Sequence, residues 1–217
     1  SYAARSHVLA HEFDALEERA SGANGPGKST MRLDPNLGVP SYVTAVDLHC
    51  MPGGYNADDG DGLYAGAMYD TASLYLATGG EFGKWNDAAG WSMVNWITTQ
   101  FPGLRPKRIL DLGCTVGHST LPLAQHFAPA EVHAIDVCAP LLRFGKVRAD
   151  SLGIGVQFSQ QNAETTDFPN NHFDVVTSAM FLHEVPQKSM KRVAAEIHRI
   201  LKPGGVMLHA EQPQYHG

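Results

Sequence analysis

Between Lys107 and Ala210, short apolar runs alternate with helix-length amphipathic stretches, and this alternation narrows the possible folds more than any other feature of the chain. Arg108-Ile109-Leu110-Asp111-Leu112 reads as a buried strand, followed by a glycine-bounded turn and a helix from about His118 to Phe127. Glu131 to Asp136 is a second strand. The helix after it carries Pro140 in its first turn, where a missing N–H does no harm. Val156 to Ser159 and Phe173 to Ser178 are the third and fourth strands. Met190, Val193, Ala194, Ile197, Ile200 and Leu201 recur at intervals of three and four, the mark of one helical face. Lys202-Pro203-Gly204-Gly205 stops that helix, and Val206 to Ala210 is a fifth strand. Strands separated by helices require right-handed crossovers, so the fold class is α/β, a doubly wound, mainly parallel sheet with helices on both faces. Ligands of such sheets bind at the carboxyl ends of the strands, where the strand order reverses.

The first half has a different texture. A polar helix is expected from Tyr2 to Arg19, then a Gly/Pro/Ser/Asn stretch from Ser21 to Pro40 and a short strand from Tyr42 to Leu48. Two further helices follow, Leu63 to Ala77, ended by Gly79-Gly80, and Asp87 to Phe101, stopped by Pro102-Gly103. Residues 1–105 hold 6 basic and 12 acidic side chains, and residues 106–217 hold 10 of each, so the whole net charge of −6 sits in the first half. The expected organisation is a helical and loop-rich N-terminal cap and substrate lid over 1–101, and a ligand-binding core over 102–217.

Four elements fall on strand ends facing the expected crevice. The first is Asp111-Leu112-Gly113-Cys114-Thr115-Val116-Gly117, where glycines let a ligand approach the backbone and the helix start offers N–H groups. Asp136, 19 residues after Gly117, stands where a carboxylate can accept both hydroxyls of a ribose. Asn162-Ala163, beyond the third strand, can read an adenine edge, and Ser178 to Glu184 lie beside the reacting centre.

In these phrases, RILDLGCTVGHSTLPLA, EVHAID, QNAETTDFPNNHFDVV and EIHRILKPGGVML, the chain resembles the Rossmann-like class I S-adenosylmethionine-dependent methyltransferases over roughly residues 106–210. The resemblance implies S-adenosylmethionine as cofactor, with S-adenosylhomocysteine as product. It implies a cofactor-binding set of Asp111, Gly113, Cys114, Gly117, Asp136, Val137, Asn162, Ala163 and Ser178. Two departures stand out. Many members have glycine in place of Thr115, and a β-branched residue there predicts a right-handed or extended backbone. Members also continue past the fifth strand with a helix and an antiparallel pair. Here the sequence runs only seven residues beyond Ala210, so the core is expected to lack the last two strands and the fifth strand to be an edge.

The expected function is therefore transfer of a methyl group to a small-molecule acceptor by in-line displacement. His183 is the candidate general base, and Tyr55, Tyr64, Tyr69 and Trp85 are candidate acceptor-pocket residues. A pI near 6.0 argues against a nucleic-acid partner, and no apolar run approaches the ~20 residues that span a bilayer. The N-terminus is too polar for a signal peptide, and Cys50, Cys114 and Cys138 are too widely spaced for a zinc site, so no metal and a cytoplasmic location are expected. Self-association through the exposed fifth strand or the N-terminal helices is the expected assembly. Two other readings are a catalytically silent scaffold of the same fold and a phosphate-loop NTPase. The latter rests on Gly22 to Ser29, which fits GxxxxGK[ST] but lacks a preceding strand. His7 and His11 lack a third ligand, and Asn56 to Gly62 lacks calcium-loop spacing.

Overall fold

The computed structural model describes residues 29–45, 47, 51, 53–57, 64–70 and 87–211. Its six strands are β1 (Thr30–Arg32), β2 (Arg108–Leu112), β3 (Glu131–Asp136), β4 (Gln157–Gln160), β5 (Phe173–Ala179) and β6 (Leu201–Ala210). They form one parallel sheet in the order β1-β4-β3-β2-β5-β6. The helices are α1 (Ser41–Thr44), α2 (64–70), α3 (Ala88–Gln100), α4 (Thr120–His126), α5 (Ala139–Ser151) and α6 (Gln187–Ile200). From β2 the chain winds outward through β3 and β4, then returns to build β5 and β6 on the other side. The order thus reverses at β2, and the crevice opens at its carboxyl end.

Period-two side chains explain why the sheet is covered on both faces. Ile109, Val132, Phe158 and Val175 pack into one cluster with Val94 and Ile97 of α3, Leu121 of α4 and Leu142 of α5. Their neighbours Leu110, Leu112 and Val176 point the other way, onto Val193, Ile197 and Ile200 of α6. A third cluster joins the N-terminal segments to the core: Met51, Tyr55, Ala65 and Ala67 pack on Val116, Leu141 and Phe144. Gly66 makes that approach possible, because a Cβ built there would lie 2.2 Å from Cβ of Phe144.

Three local expectations change. Tyr42 to Leu48 was expected as a strand, but 41–44 is a short helix after Pro40. The sheet's outermost strand instead comes from Thr30–Arg32, inside the stretch read as loop. It is anchored by Ser29, whose N–H donates to Asp150 Oδ1 at 2.7 Å and whose hydroxyl donates to the Ile154 carbonyl at 3.0 Å. This corrects the phosphate-loop reading as well. The chain after Lys28 runs straight into β1, so there is no helix start at which a triphosphate could be cradled. Finally, Thr115 has φ 47°, in the left-handed region that its β-branched side chain was expected to avoid. The expected helix at Tyr2 to Arg19, the His7/His11 pair and Trp85 lie outside the described residues, as does most of the acidic turn at 56–62. β6 is an end strand with Met207 exposed. Among the described residues no helix is long and apolar enough to cross a membrane.

Candidate functional site

The loop after β2 is shaped by main-chain bonds. Gly113 (φ 62°) and Gly117 (φ 88°) take conformations natural to glycine, and Thr115 joins them. The Cys114 N–H donates to the Ile135 carbonyl at 3.0 Å, and the Gly117 N–H to the Cys114 carbonyl at 2.8 Å. The Thr115 N–H donates to Asp136 Oδ2 at 3.0 Å. An L-residue in the left-handed region costs about 1–2 kcal/mol, and this bond is what holds Thr115 there. Beneath the loop, buried Asp111 accepts from the hydroxyls of Ser119 (2.6 Å), Thr120 (2.6 Å) and Thr177 (2.8 Å). Burial pushes the Asp111 carboxyl up, and the three hydroxyls pull it back. Asp111 therefore ties the start of α4 to β2 and β5 and acts as a brace.

Asp136 closes β3 at the wall of a cleft holding roughly 760 Å3 of space, open mouth included. Its other oxygen accepts the Cys138 N–H at 2.9 Å, so two backbone donors fix its orientation. Burial raises its carboxyl above the ordinary value, against the pull of those donors. Gly113, Val137, Asn162 and Ala163 line the same cleft. Tyr55 and Tyr69 from the N-terminal segments also line it, ring centroids 5.5 Å apart and edge to face. Burial raises both phenols, with Asp136 and Glu184 adding to the rise, so both stay protonated and act as donors.

Of the residues expected from the sequence, then, Gly113, Asp136, Val137, Asn162, Ala163, Tyr55 and Tyr69 come together at one cleft. Asp111, Cys114, Gly117, Ser178 and Tyr64 are not on its wall. Cys114 is buried with its thiol pushed well up, the state of an inert core residue. The Ser178 hydroxyl is buried against Nδ1 of His209 at 2.7 Å. His183, the expected base, has an exposed ring with Nδ1 2.7 Å from Glu211 Oε2 and is not among the residues lining the cleft. Glu211 also accepts the N–H groups of Phe181 (3.0 Å) and Leu182 (2.6 Å), and so organises the loop after β5. That loop does face the cleft, but through Phe181 and Glu184. Phe181 lies against Gly113, where a Cβ would come within 2.4 Å of the ring. Nothing in the spacing of this segment says which of its side chains turn toward the cleft. Tyr42, held by a 3.0 Å bond from its hydroxyl to Glu164, was missed with its helix.

Comparison with known proteins agrees with this arrangement. Residues 109–205 match the family model described as a methyltransferase domain. The chain is 38% identical over 119 residues to a ubiquinone/menaquinone biosynthesis C-methyltransferase of Ectopseudomonas mendocina, covering 53% of this chain and 46% of that protein. It is 33% identical over 108 residues to a demethylmenaquinone methyltransferase of Thermus thermophilus, covering 50% of this chain and 48% of that protein. The chain is similar to the S-adenosylmethionine-dependent methyltransferases. It spans about half the length of these curated relatives. Among solved structures of this fold, the [4+2]-cyclase SpnF matches with a TM-score of 0.54 and 26% identity over 70% of this chain and 62% of its own. The amino pentose methyltransferase CalS10 of Micromonospora echinaspora matches with a TM-score of 0.51 and 22% identity over 65% of this chain and 57% of its own. A methyltransferase fold thus also carries a cyclase, and the site must decide the chemistry.

Proposed function

We propose that this chain binds S-adenosylmethionine in the cleft at the end of β2 and β3 and transfers its methyl group to a small-molecule acceptor. The observation that carries the reading is the charge of the wall. Among the described lining residues are two carboxylates, Asp136 and Glu184, and no lysine, arginine or histidine. A triphosphate would meet repulsion there, whereas a sulfonium carrying an ammonium group meets attraction. The donor set fits the remaining parts. Asp136 stands on the wall as an acceptor for a sugar's hydroxyls, oriented by donors from Thr115, Val137 and Cys138. Asn162 and Ala163 supply an amide and an N–H for an adenine edge. Gly113 keeps the floor clear of a side chain, and Phe181 closes over it.

When bound, S-adenosylmethionine supplies an already electrophilic methyl group. The protein's part is then to hold the acceptor in line and keep water away. Tyr42, Tyr55, Tyr69 and Phe181 make a largely aromatic wall suited to both tasks. The neutral hydroxyls of Tyr55 and Tyr69 can orient an acceptor by donating to it, while that of Tyr42 donates to Glu164. The segments before residue 102 supply three of these four rings, which supports their reading as an acceptor cap. The relatives named for ubiquinone and menaquinone biosynthesis make a quinone-like ring the first acceptor to test.

Calorimetric titration with S-adenosylmethionine, S-adenosylhomocysteine and ATP tests the cofactor. Micromolar binding of the first two and none of ATP is expected; binding of ATP alone overturns the reading. Asp136→Ala should weaken S-adenosylhomocysteine by more than tenfold, because the ribose loses its acceptor and a polar group is left unmatched. An unchanged dissociation constant removes Asp136 from the site. Methyl transfer itself is tested with isotopically labelled methyl donor and a panel of demethylated quinols, phenols and amines.

A further inference from the structure

His118 follows Gly117 directly, so it ends the cofactor loop and begins the turn into α4. It is buried and does not line the cleft. Two consecutive residues of α2 hold it. The ring of Tyr69 stacks on the imidazole face, with centroids 5.9 Å apart and planes at 27°. Asp70 Oδ1 lies 2.5 Å from Nε2 at its edge. A ring held on its face and its edge by two neighbouring residues leaves α2 little freedom to slide or rotate. The seat is close elsewhere too, since Gly66 of α2 lies directly over Phe144. Tyr69 is also the part of this assembly that reaches the cleft, next to Thr115 and edge-on to Tyr55. The Thr115 hydroxyl beside the Tyr69 phenol favours its ionised form, against the larger effect of burial.

We propose that Asp70 and His118 are positioning residues that fix Tyr69 in the acceptor wall and tie the seating of α2 to occupancy of the cofactor loop. The proposal rests on the cofactor reading above. Coupling between two sites is reciprocal: a cofactor that orders the loop from Gly113 to His118 strengthens the seat of α2, and a seated α2 strengthens the cofactor. The acceptor wall is then more firmly set when the cofactor is bound, so the acceptor binds more tightly to the cofactor-loaded chain.

Hydrogen exchange of the α2 amides, with and without saturating S-adenosylhomocysteine, tests the coupling, and calorimetry on the same samples reports binding. In the wild-type chain the ligand should slow exchange across 64–70 by at least tenfold. In Asp70→Ala and His118→Ala that slowing should shrink below twofold, with binding weakened about tenfold, within the usual 5–150-fold range of coupling factors. Tyr69→Phe keeps the stacking ring and should keep the slowing, while Tyr69→Ala should lose it. If the wild type binds S-adenosylhomocysteine with no change in α2 exchange, the coupling is wrong and the cofactor reading stands. The coupling is equally wrong if the alanine variants retain the full slowing, or if Tyr69→Phe loses it. If the wild type does not bind the ligand, the cofactor reading falls and takes this one with it.

Discussion

At the scale of single residues, the loop after β2 depends on backbone conformations that side chains resist. Gly113 combines φ 62° with the ring of Phe181 directly overhead, so Gly113→Ala adds both strain and a clash. We expect it to lower stability by about 1–3 kcal/mol in urea denaturation, and to weaken S-adenosylhomocysteine as Phe181 is pushed aside. Unchanged stability and affinity would mean that the ring yields freely and closes nothing. Thr115 marks a limit of reading residues one at a time. Its type argued for φ below zero, yet its N–H is claimed by Asp136 from a strand 21 positions later. Local preference of about 1–2 kcal/mol is overridden by a bond to a group that the sequence alone did not place there. Asp136 itself was legible, because strand, spacing and residue type all agreed. The pairing of His183 was not, because its partner, Glu211, lies 28 positions on and carries no motif.

Among elements, β2, β3 and the helix of the Ile197 face were readable because each buries a continuous apolar run or stripe. β1 had no such mark. Its three residues are all exposed, and what holds them is main-chain pairing to β4 and the bonds of Ser29 to Asp150 and Ile154. The Tyr-Val-Thr of α1 has strand-like residue types and still forms a helical turn, since Pro40 and tertiary contacts outweigh propensity. The seat of α6 on the loop after β4 yields a pH prediction. Glu196 accepts the Thr166 N–H at 2.7 Å and its hydroxyl at 2.6 Å, and pairs with Arg199 at 2.6 Å. The Arg199 guanidinium, with the Thr166 donors, draws its carboxyl from 4.5 down to about 2. A carboxyl lowered in the folded state stabilises above its unfolded pKa. This contribution is complete above roughly pH 5 and fades as pH falls from 4.5 toward 2. Glu196→Gln should therefore cost about 1–3 kcal/mol at pH 7 and far less near pH 2.5, by urea denaturation at both. An equal difference at the two pH values would rule out the ionised pairing as its source.

For the whole molecule, charge is arranged along the chain in a way that bears on cofactor and product. Residues 106–217 are neutral overall, with 10 charges of each sign, while residues 1–105 carry the full excess of acidic groups. The cleft lies where these halves meet, with Asp136 and Glu184 on the core side and Tyr55 and Tyr69 from the N-terminal half. S-adenosylmethionine and S-adenosylhomocysteine differ by one methyl group and the positive charge it places on sulfur, so the contacts of adenine, ribose and amino acid cancel in their affinity ratio. What remains is the packing of that methyl group and the interaction of one charge with the two carboxylates and with other acidic groups of the chain. One unit of charge at several ångströms from a carboxylate near a protein surface is worth on the order of 1 kcal/mol, about fivefold in affinity. Its contribution from exposed acidic groups should decay as the Debye length falls from ~30 Å at 0.01 M salt to ~3 Å at 1 M. Titrations across that range should find the cofactor bound more tightly than the product at low salt, with the ratio shrinking severalfold as salt rises while product affinity stays nearly constant. A ratio independent of salt would confine the electrostatics to the buried carboxylates alone. A product that binds more tightly than the cofactor at every salt concentration would show that the carboxylates do not act on the sulfonium, and would remove the observation on which the proposed function rests.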